Sequence, residues 1–223
     1  MKPLPWSHTV LESFLTCPRR FYEIRVLKSY PDEQSEAGKW GDRFHKIAAD
    51  YLEGKTGLPE EMAQYQTYLD AIANTKGDMQ VELKLALDTS LSPCDFFTGK
   101  NIFARAVVDV FHLDQSGGAG KAIDHKTGKR KSGSRQMKQN ALLLFAHYPQ
   151  MDRLRVAFMW LKEGKRDSEE FTREDIPRLW LEFLPDLHRY KEAFNRQIFN
   201  PHQSGLCKRH CPVLSCEFNG RNR

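Results

Sequence analysis

Two aspartates and a lysine occur in this sequence at a spacing that could support metal-assisted hydrolysis. Asp124 and Lys126 lie two residues apart, and Asp109 lies fifteen residues before Asp124. In a β-strand the side chains of residues i and i+2 project from the same face, roughly 7 Å apart. Carboxylates bind Mg²⁺ or Mn²⁺, and such a cation beside an ammonium group can neutralise a phosphate and activate a water molecule. The three residues are therefore a candidate hydrolytic site.

A predicted β-hairpin would position these three side chains. The segment 102–113 is rich in β-branched and aromatic residues, and a glycine-rich turn separates it from a second predicted strand at 121–126. A turn centred on Gly117 and Gly118 pairs Asp109 with Lys126 and makes Asp124 a diagonal neighbour of Asp109. The alternative is a surface hairpin in which Asp124 and Lys126 form only an ion pair.

A histidine and a glutamate are further candidates. His45 lies at the edge of an apolar stripe at helical spacing, and a hydrogen-bonded structural role is the alternative to a site role. Glu82 shares one face of a predicted strand with Lys84, so an exposed cross-strand salt bridge is the alternative there. The stripe beside His45 consists of Phe44, Ile47, Ala48, Tyr51 and Leu52.

The ordered set of motifs resembles the PD-(D/E)XK nuclease superfamily, specifically the RecB-like exonucleases, which include the AddB nuclease domain and the CRISPR-associated RecB-like exonucleases. The segment 7–22 is similar to the family's opening S-x-L-x-x-F-x-x-C-P-[RK]-x-[FY], with Thr9 where serine is common. The remaining motifs follow in the family's order: Gly41-x-x-x-His45, Glu82, Asp109, Asp124-x-Lys126, Gln136, and the cysteines Cys207, Cys211 and Cys216.

The resemblance implies a Mg²⁺- or Mn²⁺-dependent deoxyribonuclease. In that family pattern Asp109 and Asp124 ligate the metal together with the backbone carbonyl of His125, and Lys126 is the catalytic lysine. His45 approaches the metal or the phosphate from its helix.

The resemblance also assigns catalytic positions to two residues outside the hairpin. Glu82 matches the acidic residue of the first core strand, and Gln136 matches the glutamine that helps hold the catalytic lysine and the DNA strand. The family usually has an aromatic residue four positions after that glutamine, whereas Asn140 stands here. This departure affects the stacking role of the helix and leaves the metal site unchanged.

Four of the five cysteines form a second candidate site. Cys207, Cys211 and Cys216 lie within ten residues, and such density in an intracellular protein indicates a metal rather than disulfides. The resemblance implies that Cys17 is the fourth ligand of a structural [4Fe-4S] cluster. The spacing differs by one residue from the family's usual C-x2-C-x5-C, and His210 occupies the shifted position. A zinc site completed by Cys17 or His210 is therefore the alternative.

The distribution of charge indicates a nucleic-acid partner. Lys and Arg total 34 against 29 Asp and Glu, and seven basic residues but one acid lie between positions 121 and 138. A basic rim beside carboxylates suits a phosphate backbone, although a solvated loop is the alternative. No base-reading motif is evident, so we expect little sequence specificity. The predicted DNA-binding residues are Lys129, Arg130, Lys131 and Arg135.

Length and composition fit one domain over 1–223, with 1–22 and 200–223 forming the cysteine cluster region. The resemblance implies an α/β fold with a restriction-endonuclease-like core, in which helices flank a central mixed sheet. No apolar segment is long enough to cross a membrane, so we expect a soluble, cytoplasmic protein.

The resemblance implies an exonuclease that acts on DNA ends in replication, recombination or repair, of the kind that phages often encode, with a recombination or replication protein as partner. The alternatives are an endonuclease or nickase of the same fold and a non-catalytic DNA-binding or assembly protein with a structural zinc site.

Overall fold

The computed structural model describes residues 1–131, 133 and 135–222. The chain divides into two compact units, one formed by Met1–Glu33 with Trp180–Arg223 and the other by Gln34–Leu179. The single domain predicted for residues 1–223 stays a prediction. Within the described residues, no helix combines the length and the apolar character needed to cross a bilayer.

The second unit is built on a five-stranded mixed sheet in which the strands follow the order of the sequence. The pairs β1–β2, β2–β3 and β4–β5 are antiparallel, whereas β3 and β4 are parallel. A parallel pair needs a crossover connection, and helix α5 lies in it. The strands are β1 (Asp78–Asp88), β2 (Ile102–Leu113), β3 (Ala119–Lys126), β4 (Arg153–Trp160) and β5 (Lys165–Thr172), and α5 is Arg135–His147.

Helices cover the sheet through apolar faces. Helix α5 buries most of its length, from Met137 to Phe145. Helices α3 (Glu36–Leu52) and α4 (Gln66–Ala73), with the 3₁₀ turn Glu60–Tyr65 before α4, pack with Val110 and Ile123 of the sheet in one hydrophobic cluster. The predicted central mixed sheet flanked by helices is therefore confirmed.

The hairpin between β2 and β3 has a different register from the predicted one. Val110 pairs with Ile123, and Leu113 pairs with Gly120. The hairpin is therefore centred one residue earlier than a turn centred on Gly117 and Gly118, and the prediction that Asp109 pairs with Lys126 is wrong. Hydrogen bonds from the turn to Asp114 explain the shift, because its carboxylate accepts from Ser116 and from the backbone of Ala119.

The first unit joins the two ends of the chain through aromatic side chains. It contains α1 (His8–Thr16), α2 (Pro18–Phe21), a π-helical turn (Tyr22–Val26) and most of α6 (Ile176–Arg196). Phe14 and Phe21 contact each other and Tyr190 edge to face, with ring centroids 5.1–5.8 Å apart. Phe194 extends this cluster. The aromatic side chains Tyr190 and Phe194 of α6 are therefore part of a core.

Gly120 provides a test of how closely the sheet is packed. A Cβ atom at this position would lie 2.4 Å from Met151 Sδ and 2.8 Å from a ring carbon of Phe111. We expect Gly120→Ala to lower the free energy of unfolding by about 1–3 kcal/mol, because a filled core must distort to accept the methyl group. Urea denaturation followed by circular dichroism measures the change.

Gly57→Ala is the matched control for this substitution. A Cβ atom at Gly57 would meet no atom within 4 Å, so we expect a change of less than about 0.5 kcal/mol. Equal effects of the two substitutions would contradict the packing around Gly120.

Candidate active site

Asp109 and Asp124 meet where β2 and β3 stop pairing. The last pair of the ladder at this end is Val110 with Ile123, so Asp109 and Asp124 are the first residue of each strand beyond the ladder. Both are buried, with 9% and 4% of their surface exposed. The charge of Asp109 acts on Asp124, but the predicted diagonal relationship rested on the wrong register.

His45 reaches Asp109 from helix α3. Its Nδ1 atom lies 3.1 Å from Asp109 Oδ2, and the same oxygen accepts a 2.6 Å hydrogen bond from the backbone N–H of His125. Gly41, one turn before His45, explains how the helix comes this close, because a Cβ there would lie 2.8 Å from Thr127 Oγ1. The Gly41-x-x-x-His45 motif thus combines close approach with a ring directed at the carboxylate.

Lys126, Asp124 and Gln136 form a closed network of one ion pair and two hydrogen bonds. Lys126 Nζ lies 2.5 Å from Asp124 Oδ2 and donates to Gln136 Oε1 at 2.6 Å. The amide of Gln136 donates in turn to Asp124 Oδ1 at 2.6 Å. Lys126 Nζ also lies 4.5 Å from the ring centroid of Phe158. Each side chain therefore fixes the other two, as expected for a preorganised charged group.

Glu82 lies in the sheet at the register position of Asp109. Its neighbours Val81 and Leu83 pair with Val110 and Val108, and Glu82 itself has a φ of 50°. A left-handed conformation is rare for a non-glycine residue inside a strand and is often found at functional sites. Burial and the charge of Asp109 raise the pKa of Glu82. The structure thus brings Glu82 into the electrostatic field of the site.

The charges of the site perturb one another strongly. Burial and the charge of Asp109 raise the pKa of Asp124. Burial opposes ionisation of Asp109 as well, but the hydrogen bond with His45 and the nearby ring and backbone N–H of His125 hold its pKa below the ordinary value. Burial likewise opposes protonation of His45, but the hydrogen bond to Asp109 and the surrounding carboxylates raise its pKa. Asp109 is therefore the carboxylate of the pair that ionises more readily.

Three ligand atoms converge closely enough to hold a metal ion. One atom each from His45, Asp109 and His125 lies within 4.8 Å of the others. The His125 ring is buried, and burial lowers its pKa to about 4, so the imidazole is neutral and able to bind a cation. The family pattern assigns only the backbone carbonyl of His125. Strand alternation directs the His125 side chain away from the face of Asp124 and Lys126, so the sequence did not indicate the ring as a ligand.

Tyr68 is a further residue of the site that the sequence did not indicate. Its ring contacts His125 edge to face, with centroids 5.6 Å apart. Burial and the charges of Asp109 and Asp124 raise the pKa of its hydroxyl. Tyr68 lies on α4, which has no motif in the sequence.

The four predicted DNA-binding residues have different surroundings. Lys129 and Lys131 are exposed. Arg130 forms two hydrogen bonds with Asp167 of β5, and its backbone N–H donates to Glu163. Arg135 begins α5 and is partly buried. The charge of Arg130 is therefore already paired within the protein.

The predicted cluster cysteines all belong to the first unit, whereas Cys94 belongs to the second. Cys17 Sγ accepts from the backbone N–H of His202, and Cys207 Sγ accepts from that of Ser204, both at 3.4 Å. Cys211 and Cys216 are buried beside Val213. Burial raises the pKa of Cys216, and the neighbouring Cys17 and Cys211 add to this shift. His210 is exposed.

Comparison with known proteins agrees with this architecture. A family model described as the PD-(D/E)XK nuclease superfamily matches residues 5–82, about a third of the chain. The crystal structure of a "Putative exonuclease" from Eubacterium rectale is 12% identical, with a TM-score of 0.56 over 98% of this chain and 88% of that one. The crystal structure of SSO0001 is also 12% identical, with a TM-score of 0.47 over 94% of this chain and 85% of that one. No curated protein sequence matches the chain significantly.

At 12% identity the E. rectale structure establishes a shared fold alone. The superfamily match and the mixed sheet that carries the carboxylates together confirm the resemblance of this chain to the PD-(D/E)XK nuclease superfamily.

Proposed function

We propose that the chain is a metal-dependent DNA exonuclease of the RecB-like type. The observation that carries this proposal is the convergence of Asp109, Asp124 and Lys126, with His45 3.1 Å from the first carboxylate. A purely structural ion pair would need only the aspartate and the lysine. A second buried carboxylate with an imidazole beside it is costly unless a cation or a substrate uses it.

The residues divide the hydrolytic task between them. A bound Mg²⁺ or Mn²⁺ would neutralise the scissile phosphate and lower the pKa of a water molecule. His45 and Asp109 have the donor atoms to hold that cation, and Asp124 lies beside them. Lys126 presents an ammonium group to the charge that develops on the phosphate. Gln136 keeps this ammonium group in place through its hydrogen bond.

The proposal also specifies that the enzyme acts on DNA ends. The ordered RecB-like motifs support it, and the exposed Lys129 and Lys131 next to the site suit a phosphate backbone without base recognition. A role in replication, recombination or repair, and a cytoplasmic location, follow from the same resemblance.

We further propose a structural [4Fe-4S] cluster held by Cys17, Cys207, Cys211 and Cys216. The ordered cysteines of the RecB-like pattern support this proposal, because an iron-sulfur cluster of this type is held by four thiolates. A zinc site with Cys17 or His210 as its fourth ligand is the alternative.

The first prediction about function concerns the reaction. End-labelled linear DNA and covalently closed circular DNA are incubated with the full chain in Mn²⁺ or in EDTA. We expect Mn²⁺-dependent loss of the linear DNA alone, and a rate at least about 100-fold lower for Asp124→Asn, because the substitution removes the charge paired with Lys126.

Asp152→Asn, at an exposed position outside the site, controls for the loss of one carboxylate and should cleave at the wild-type rate. Cleavage of closed circles would identify an endonuclease or a nickase. Binding of DNA without any cleavage by folded protein would identify a non-catalytic DNA-binding protein.

The second prediction concerns DNA binding, measured in EDTA over a range of salt concentrations. Lys129→Ala and Lys131→Ala should each weaken binding and reduce the slope of log K against log salt by about 1, because each removes a phosphate contact. Arg130→Ala should have a smaller effect, because Asp167 already binds the guanidinium group. Lys191→Ala, on α6, is the control for net charge. If Arg130→Ala lost as much DNA affinity as Lys129→Ala, the result would contradict the pairing of Arg130 with Asp167.

The third prediction concerns the cysteines. We expect the purified protein to contain iron and acid-labile sulfide, and Cys17→Ser and Cys207→Ser to lose both because serine replaces a thiolate ligand. Cys94→Ser, in the other unit, should retain them. Metal analysis with visible absorption measures the outcome. Zinc without sulfide would identify the alternative site.

A further inference from the structure

We infer that the imidazole of His125 is a protein ligand of the catalytic metal, which gives the site two histidines and one carboxylate and makes it selective for a first-row transition metal over Mg²⁺. This inference rests on the proposed metal-dependent function and specifies the cation. It adds a side chain where the family pattern assigns only a backbone carbonyl.

The position of His125 is fixed by its own backbone. Its N–H donates to Asp109 Oδ2 at 2.6 Å, and Nδ1 of its ring lies 3.6 Å from the same oxygen. The latter distance is too long for a hydrogen bond. The ring therefore lies beside the carboxylate without being held by it.

The distances agree with a shared cation. Two ligands about 2.1 Å from one ion lie about 3.0 Å apart at a right angle and about 3.4 Å apart at the tetrahedral angle. The Nδ1 atoms of His45 and His125 lie 3.1 Å and 3.6 Å from Asp109 Oδ2. Both values are within a few tenths of an ångström of this range, so either imidazole can share a cation with Asp109, and the three ligand atoms lie within 4.8 Å of one another.

The surroundings of His125 favour a ligand over a structural residue. The ring is 2% exposed and packs against Phe44 and Tyr68, with centroids 5.6 Å from each. Its Nε2 atom and the Tyr68 hydroxyl are both buried and have no hydrogen-bond partner among the described residues. An aromatic hydrocarbon would fill this position at lower cost, because an unpaired buried polar atom is destabilising. A structural role therefore does not account for an imidazole at this position, whereas binding of a cation through Nδ1 does.

The donor set determines which cation is preferred. Imidazole nitrogen binds transition metals well, whereas Mg²⁺ prefers oxygen ligands and retains its water molecules. Two imidazoles with one carboxylate therefore favour Mn²⁺, Fe²⁺ or Co²⁺ over Mg²⁺. With His45 alone, the set would contain one nitrogen and discriminate less.

Mn²⁺ binding to the full chain without DNA tests the inference. Electron-spin-echo spectroscopy of the Mn²⁺ complex counts the bound imidazoles through their nitrogen hyperfine couplings. We expect two in the wild type and one in His125→Phe, which keeps an aromatic ring between Phe44 and Tyr68. Calorimetry should show at least about a tenfold weaker affinity of His125→Phe for Mn²⁺ and a smaller change for Mg²⁺.

His188→Asn, at an exposed position of α6, is the control and should retain two nitrogens and the wild-type affinity. A single nitrogen in the wild type would overturn the inference, and this measurement does not depend on whether the variant folds. Unchanged Mn²⁺ affinity in folded His125→Phe would also overturn it. Two nitrogens in a protein that cleaves no DNA would support the inference and refute the proposed nuclease, so the two failures are distinguishable.

Discussion

The site depends on two buried carboxylates that lie on neighbouring strands. Like charges inside a protein repel strongly, because the low dielectric screens them little. The fold compensates for this repulsion from two directions. His45 and the backbone N–H of His125 stabilise Asp109, whereas Lys126 and Gln136 neutralise and bind Asp124. Asp109 is therefore available to a cation, whereas Asp124 is held in an ion pair with the ammonium group.

The sheet topology supplies these compensating groups. β3 and β4 are the parallel pair, and a parallel pair needs a crossover helix. That helix begins at Arg135, immediately before Gln136, so the crossover carries the amide that bridges Lys126 and Asp124. On the other side of Asp109, the missing side chain of Gly41 allows α3 to bring His45 to the carboxylate. The crossover helix α5 and the helix α3 thus supply the groups that offset the repulsion between the two carboxylates, which the hairpin alone would not offset.

The sequence predicted those parts of the site that have a periodic or motif signal, namely the bounds of β2, the face shared by Asp124 and Lys126, and the position of His45. It did not predict β5, because an edge strand is exposed and its residues 165–170 are all polar. The register was wrong because the side chain of Asp114, and not the glycine count, determines the turn. The ring of His125, the left-handed Glu82 and the pairing of Arg130 depend on contacts distant in sequence, so local patterns contain no information about them.

The last residues of the first compact unit have few apolar contacts to hold them in place. The core of that unit consists of aromatic side chains from both chain ends, including Phe14, Phe21 and Tyr190. Within the described residues, the segment after α6 adds short 3₁₀ turns, the small cluster around Val213, and Phe199, which stacks on Tyr22. A segment with so little apolar surface gains little from burial. Ligation of Cys207, Cys211 and Cys216 together with Cys17 would fix that segment to the N-terminal helices, because one cluster restrains four positions of the chain at once. The aromatic core already joins the two ends, so the cluster's contribution would lie mainly in ordering the last residues.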